Sequence, residues 1–160
     1  MKILITGAAG QIGSGLSKLL IENGHDLTLV DNLRNGYLEN IKDDANEVIA
    51  PFYEVDIATR DLFTECGGEY DVIIHLAAIT SIPDCESNPL ETLRINVSGT
   101  ANVLEFARKF DVPHVVFAST SAIYENNDTD VFTEDLEVNP RLYYSLSKKM
   151  SEELIHSYRE

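Results

Sequence analysis

The chain has 160 residues, of which 27 are acidic and 12 basic, for a formal charge of −15. Its 44% hydrophobic and 24% charged content suits a globular domain with a sizeable core. So acidic a surface repels phosphate backbones and anionic lipid, which argues against nucleic acid and membranes as partners. The first apolar run, Ile3 to Ile5, is too short for a signal-peptide core or a membrane span. Cys66 and Cys85 make neither a metal site nor a disulfide framework, the usage expected in a reducing cytosol, so a cytoplasmic protein is expected.

Short apolar runs alternate with helical patterns along the chain. Lys2–Thr6 reads as a buried strand. An amphipathic helix follows, with Ile12, Leu16, Leu19 and Leu20 on one face and Asn23-Gly24 as its stop. Asp26–Val30 is the second strand, and Asn32–Asp44 is polar and turn-rich with room for one short helix. Val48–Val55 is the third strand, and Pro51 inside it predicts a sheet edge. A short helix is expected over Thr59–Glu65, then a fourth strand over Asp71–His75. Asn88-Pro89-Leu90-Glu91 has the grammar of a helix start, and that helix should run to about Lys109. His114–Ala118 is the fifth strand and Glu125–Asn139 a polar loop. Leu142–Tyr158 is a last helix with Leu142, Leu146, Met150 and Leu154 in line.

Strands alternating with crossover helices imply an α/β fold with a doubly wound parallel sheet, its third strand at an edge. One dinucleotide-binding domain is expected over residues 1–160. A complete fold of this kind has six strands and five are present, so the sequence reads as truncated before the sixth.

In such sheets ligands bind beyond the C-terminal ends of the strands. After the first strand comes TGAAGQIG at 6–13. Its three-residue glycine spacing permits a tight turn, a close pyrophosphate and close helix packing, although an ordinary glycine-rich turn would look similar alone. Asp31 ends the second strand, where a carboxylate can accept hydrogen bonds from an adenosine ribose and repel a 2′-phosphate, favouring NAD over NADP. The competing reading is a solvated turn aspartate, and Arg34 nearby leaves room for a 2′-phosphate. Asp56 and Ile57 follow the third strand and suit either an adenine contact or a helix cap. After the fourth strand, Leu76, Ala77 and Ala78 let backbone pass close to a cofactor, while His75 reads as a packed, structurally bonded residue. Ser119-Thr120-Ser121 after the fifth strand is either loop polarity or a hydroxyl cluster at the site.

On the last helix Tyr144 and Lys148 lie four residues apart, one turn apart on one face. A phenol titrating near ~10 is a poor base at neutral pH. An adjacent ammonium stabilises its phenolate and brings it into a useful range. The pair is weak evidence alone and strong beneath a glycine loop.

Together these residues resemble the extended short-chain dehydrogenase/reductase family, the NAD-dependent epimerases and dehydratases of nucleotide sugars. The resemblance runs in order over the whole chain: TGAAGQIG at 6–13, VDNL at 30–33, DI at 56–57, HLAA at 75–78, NVSGT at 96–100, STSAIY at 119–124 and YSLSK at 144–148. It implies Tyr144 as catalytic acid and base, Lys148 tuning it and binding the nicotinamide ribose, and Thr120 bonding the reacting sugar oxygen. It also implies a cofactor set of Gly7, Gly10, Gln11, Ile12, Gly13, Asp31, Asn32, Asp56, Ile57, Leu76, Ala77, Ala78, Thr80, Asn96 and Ser119 with Tyr144 and Lys148. Asn96 matches a helix asparagine that orders the active-site end of the fold, in part through water. Homodimers through the helices at about 89–109 and 142–158 are also implied.

Within the family, sugar dehydratases carry an acidic pair after the threonine, where this chain has Ser121-Ala122. VDNL with Asn35-Gly36 is typical of UDP-glucose 4-epimerases, so a UDP-sugar 4-epimerase is the expected activity. A UDP-glucuronate decarboxylase or epimerase, or another nucleotide-sugar reductase, is the alternative, and a non-catalytic NAD(P)-binding module is the alternative of another class. Three departures stand out: Glu125 and Ser145 occupy positions where glycine is usual, and the substrate lobe is missing. For the 160-residue piece alone, NAD binding with negligible turnover is expected.

Overall fold

The computed structural model describes residues 1–59 and 61–158. The chain forms two compact units, Met1–Ala78 with Asn102–Ala118, and Ile79–Ala101 with Ser119–Glu160.

The first unit holds a parallel sheet of five strands: β1 (Lys2–Thr6), β2 (Asp26–Asp31), β3 (Phe52–Glu54), β4 (Val72–His75) and β5 (His114–Phe117). Their spatial order is β3-β2-β1-β4-β5, a doubly wound α/β fold of the Rossmann type. Alternate residues of the strands bury opposite faces. Leu4, Val30 and Ile73 join Leu62, Val103 and Phe106 in one cluster. Ile3, Ile5, Leu27, Leu29 and Val72 build the other, against Leu20 and Ile21.

The elements fall close to their predicted places, with physical reasons for the differences. Helix α1 (Gln11–Glu22) stops at Asn23, followed by Gly24 at φ 78°. Its predicted stripe is half right: Leu20 packs on the sheet and Leu16 is half-buried, but Ile12 and Leu19 are 69% and 55% exposed, while Gly13 and Ser17 are buried. Close approach to the sheet selects small residues at the centre of the contact, so the large apolar periodicity extends too far to one side of it. The third strand shrinks from 48–55 to Phe52–Glu54 at the sheet edge. Pro51 has no N–H for the ladder, although its carbonyl accepts from Leu29 N at 2.8 Å, and Val48 makes only an isolated antiparallel bridge with Lys42. A single 3₁₀ turn, Leu38–Ile41, occupies the loop after β2. Helix α2 covers Asp61–Glu65; Arg60, inside the predicted 59–65 helix, lies outside the described residues.

The second unit is helical. Helix α3 (Ile82–Ser87), capped by Ser81, is not foreshadowed by periodicity and precedes the predicted start at Asn88. Helix α4 (Pro89–Leu93) does begin there, but the Asn88 side chain donates to Asp84 O at 3.5 Å instead of capping it. The predicted helix over 89–109 continues through a π-helical segment, Arg94–Ser98, into α5 (Gly99–Lys109). A 3₁₀ turn at Ser121–Tyr124 leads into the polar loop. The last helix, α6 (Tyr143–Tyr158), packs on α3, α4 and the π-helical segment. Its buried residues are Ser145, Ser147, Lys148 and Ser151, and Met150 of the predicted apolar line is 40% exposed. Serine hydroxyls can satisfy themselves on the preceding turn, so a stripe of small polar residues packs here without any hydrophobic signature. Among the described residues no helix is long and apolar enough to cross a membrane.

Candidate active site

In the first unit the loops after β1, β2 and β4 converge on the glycine-rich turn. Gly7 has φ 73°, and a Cβ there would meet Ala77 N at 2.7 Å and Leu76 C at 2.8 Å. At Gly13 a Cβ would meet Gly7 O at 2.2 Å. These glycines let the β1 turn lie against the β4 loop and let α1 start directly beneath it. Ala9 is the hub: its carbonyl accepts from Tyr37 N at 3.2 Å and Asn40 Nδ2 at 2.8 Å. Neither Tyr37 nor Asn40 is singled out by sequence pattern, since each contributes one long-range bond from a loop.

Asp31 is only 8% exposed. Its carboxylate accepts from Ala9 N at 3.0 Å and from Leu33 N at 2.8 Å. A carboxylate has about four acceptor positions, so two bonds leave capacity for a diol. Leu33, just beyond, sits at φ 54°, an uncommon conformation for a bulky residue that recurs at ligand sites. Asn32 caps the same turn, accepting from Arg34 N at 3.1 Å.

Asp56 accepts from Ala58 N at 2.9 Å in a local turn ahead of α2. Ile57 is buried in the first core cluster, and Asn102 Nδ2 donates to its carbonyl at 2.9 Å. Its side chain therefore serves the core first. His75 is fully packed, with Nδ1 2.7 Å from Thr6 Oγ1 and its ring against Phe117, in keeping with its structural reading.

The N-terminus of α1 has no side-chain cap and no acidic residue in its first turn, with Gln11 and Ile12 exposed. Its amides and positive dipole end therefore suit an anionic group. A dinucleotide fits this set: an open helix N-terminus for the pyrophosphate, glycines that admit its backbone, and Asp31 for the ribose.

In the second unit Tyr144 and Lys148 lie on α6. Tyr144 is half-buried in its first turn, and Lys148 one turn later is 3% exposed. Burial pushes the Lys148 ammonium down to about 8 from the usual 10.5. Thr120 caps the 3₁₀ turn after β5, its Oγ1 accepting from Ala122 N at 3.1 Å, which leaves its hydroxyl proton available to donate. Ser119 Oγ donates to Glu152 of α6. Thr80 is exposed.

Asn96, on the π-helical segment, is 2% exposed and bonded to protein throughout. Its Oδ1 accepts from Ile79 N at 2.8 Å, and its Nδ2 donates to Ile79 O at 3.0 Å and Ser147 Oγ at 2.9 Å. Its amide is thus occupied by Ile79 and by Ser147 of α6. Glu125 and Glu86, which the sequence reading did not place at the site, take the amides leading into α6: Glu125 Oε1 accepts from Arg141 N and from Leu142 N at 3.0 Å, and Glu86 Oε1 from Tyr143 N at 2.7 Å.

The model of the NAD dependent epimerase/dehydratase family matches residues 3–160. The chain belongs to that family. A putative UDP-glucose 4-epimerase of Methanocaldococcus jannaschii is 39% identical over 158 residues, 98% of this chain and 50% of its own length. A UDP-N-acetyl-alpha-D-glucosaminuronate decarboxylase of Bacillus cytotoxicus is 35% identical over 92% of this chain and 44% of its own. The crystal structure of UDP-glucose 4-epimerase with UDP-glucose from Thermotoga maritima superposes with a TM-score of 0.89 at 32% identity, covering 100% of this chain and 52% of that one. The chain thus spans about half the length of the family relatives it matches.

Proposed function

We propose that this chain is the NAD-binding part of a UDP-hexose 4-epimerase. The observation that carries the reading is the α6 pair: a phenol with a buried cation one turn away, in a chain of this family. Bound NAD would supply reversible oxidation at sugar carbon 4, which is what permits inversion there. Gly7, Gly10, Gln11, Ile12 and Gly13 would receive the pyrophosphate, and Asp31 with Asn32 the adenosine ribose. Asp56, Ile57, Leu76, Ala77, Ala78, Thr80 and Ser119 would border the rest of the cofactor.

Tyr144 accepts the proton of the sugar 4-hydroxyl and returns it at the end of the cycle. Lys148 stabilises negative charge on the tyrosine oxygen at each stage and donates to the nicotinamide ribose. Thr120 donates its free hydroxyl proton to the reacting sugar oxygen and fixes its direction. The enzyme would work in the cytoplasm, as its two free buried cysteines suit. It would work as a homodimer through the helices at 89–109 and 142–158, where Leu90 is 84% exposed.

Replacing Tyr144 by Phe in the whole protein should slow interconversion of UDP-galactose and UDP-glucose by about a hundredfold or more, the scale of a lost acid–base group, with NAD binding retained. Wild-type turnover in that variant would end the assignment. A decarboxylase reading is favoured by the Bacillus cytotoxicus relative; release of carbon dioxide from UDP-glucuronate, without 4-epimerisation, would select it.

A further inference from the structure

Two of the departures noted in the sequence, Glu125 and Ser145, turn out to be partners. Glu125 Oε1 accepts from the backbone amides of Arg141 and Leu142 and lies 3.0 Å from Ser145 Oγ. The Ser145 hydroxyl also reaches Leu142 O at 3.1 Å. Arg141 and Leu142 immediately precede α6, and Ser145 lies in its first turn beside Tyr144. The amides entering a helix have no intrahelical acceptors, and here a carboxylate from 16 and 17 residues upstream takes the two just ahead of it. Burial works to raise the Glu125 carboxyl, but the amides of Arg141 and Leu142 and the Ser145 hydroxyl outweigh it and hold the group below the ordinary carboxylate range.

Glu125 is also the residue that closes the 3₁₀ turn Ser121–Tyr124, whose other end is capped by Thr120. Its own amide bonds to Ala122 O at 3.2 Å. One short turn therefore carries Thr120 at its start and, at its end, the carboxylate that grips the segment leading into the helix bearing Tyr144. Glu86 secures the next amide, Tyr143 N, from α3, so three consecutive amides entering α6 are held by two carboxylates. No ligand is needed to complete this arrangement, and the open N-terminus of α1 shows the contrast.

We propose that Glu125 is a positioning residue that sets Thr120 and Tyr144 in register with each other, and that Ser145 is its coupled partner. The proposal rests on the assignment of Thr120 and Tyr144 to the sugar. Carbon-chain reach decides the residue type: alanine or glycine at 125 presents no acceptor to Arg141 and Leu142, while glutamine keeps one.

The test uses the whole protein, with kcat and KM for UDP-galactose, NAD affinity, and hydrogen exchange of peptides covering 138–146 and 6–13. Glu125→Ala should lower kcat about tenfold or more, the scale of a small misplacement of reacting groups, with KM and NAD affinity within about twofold. Exchange should rise at 138–146 and stay unchanged at 6–13. Glu125→Gln should recover most of kcat. Ser145→Ala should lower kcat in the wild-type background and cost nothing further in Glu125→Ala, the non-additivity of a coupled pair. Full kcat in Glu125→Ala, equal losses in the alanine and glutamine variants, or additive losses would overturn the proposal. Should Glu125→Ala fail to fold, the glutamine and Ser145→Ala arms decide: unchanged kcat and unchanged exchange at 138–146 in Ser145→Ala also overturn it. If the unaltered protein turns over no nucleotide sugar, the proposed function fails instead, and the exchange contrast still decides whether Glu125 clamps α6.

Discussion

Lys148 makes a quantitative prediction about stability. Its ammonium is buried to 3% exposure among the packed residues of α6 and titrates at about 8 instead of 10.5. With each pKa unit worth about 1.4 kcal/mol, that drop corresponds to about 3 kcal/mol disfavouring the charged form in the folded state. The sign follows from proton counting. The unfolded chain keeps this proton up to about 10.5 and the folded chain releases it near 8, so between those values the unfolded state binds more protons and stability rises with pH. The full cost is present below pH 8 and is relieved across the window from 8 to 10.5. Lys148→Met keeps the side-chain length and removes the charge. The difference in unfolding free energy, wild type minus variant, should therefore climb by about 3 kcal/mol from pH 7 to pH 10.5. Urea denaturation of both proteins at matched pH measures it, and other titrating groups cancel in the difference. A flat or falling difference would refute the burial argument.

Three further outcomes follow from particular atoms. Gly7→Ala places a Cβ 2.7 Å from Ala77 N at φ 73°; thermal denaturation should show a loss of about 2 kcal/mol or more, and NAD affinity should fall with it. Asn96→Ala leaves both the amide and the carbonyl of Ile79 without their partner. It should cost about 2–4 kcal/mol in chemical denaturation, whereas loss of NAD affinity without loss of stability would argue for a direct cofactor contact instead. Cys66 is buried in the core and its thiol is pushed up to about 12 by burial, with Glu65 adding to it. Labelling with a thiol reagent at pH 8 should thus proceed only as fast as the protein opens, and rapid labelling of the native protein would contradict that packing.

Much of the site was legible because it rests on local chemistry. Glycines at 7 and 13 declare backbone geometry directly, an aspartate ending β2 can be placed by counting, and Tyr144 and Lys148 share a face by helical period alone. What stayed hidden is long-range and polar. The stripe that α6 buries is serine and lysine, so hydrophobic periodicity pointed at Leu142, Leu146, Met150 and Leu154 instead. On α1 the apolar pattern counted Ile12 and Leu19, which are exposed, and passed over Gly13 and Ser17, which lie buried beside Leu16 and Leu20. The partners of Asn96 and Glu125 lie 17, 51 and 16–20 residues away, beyond any window of sequence pattern.

The order of strands and crossovers, the glycine-rich turn after β1 and the candidate acid–base pair were thus determined by the sequence alone, because each depends on periodicity, turn chemistry or spacing within a few residues. Tertiary structure decided which helix faces are buried, that Ile57 serves the core, that Asn96 ties Ile79 to α6, and that two glutamates cap the helix carrying Tyr144. Those outcomes depend on which unsatisfied amide or carbonyl comes within hydrogen-bond reach of which side chain, and only the folded chain brings such distant groups together.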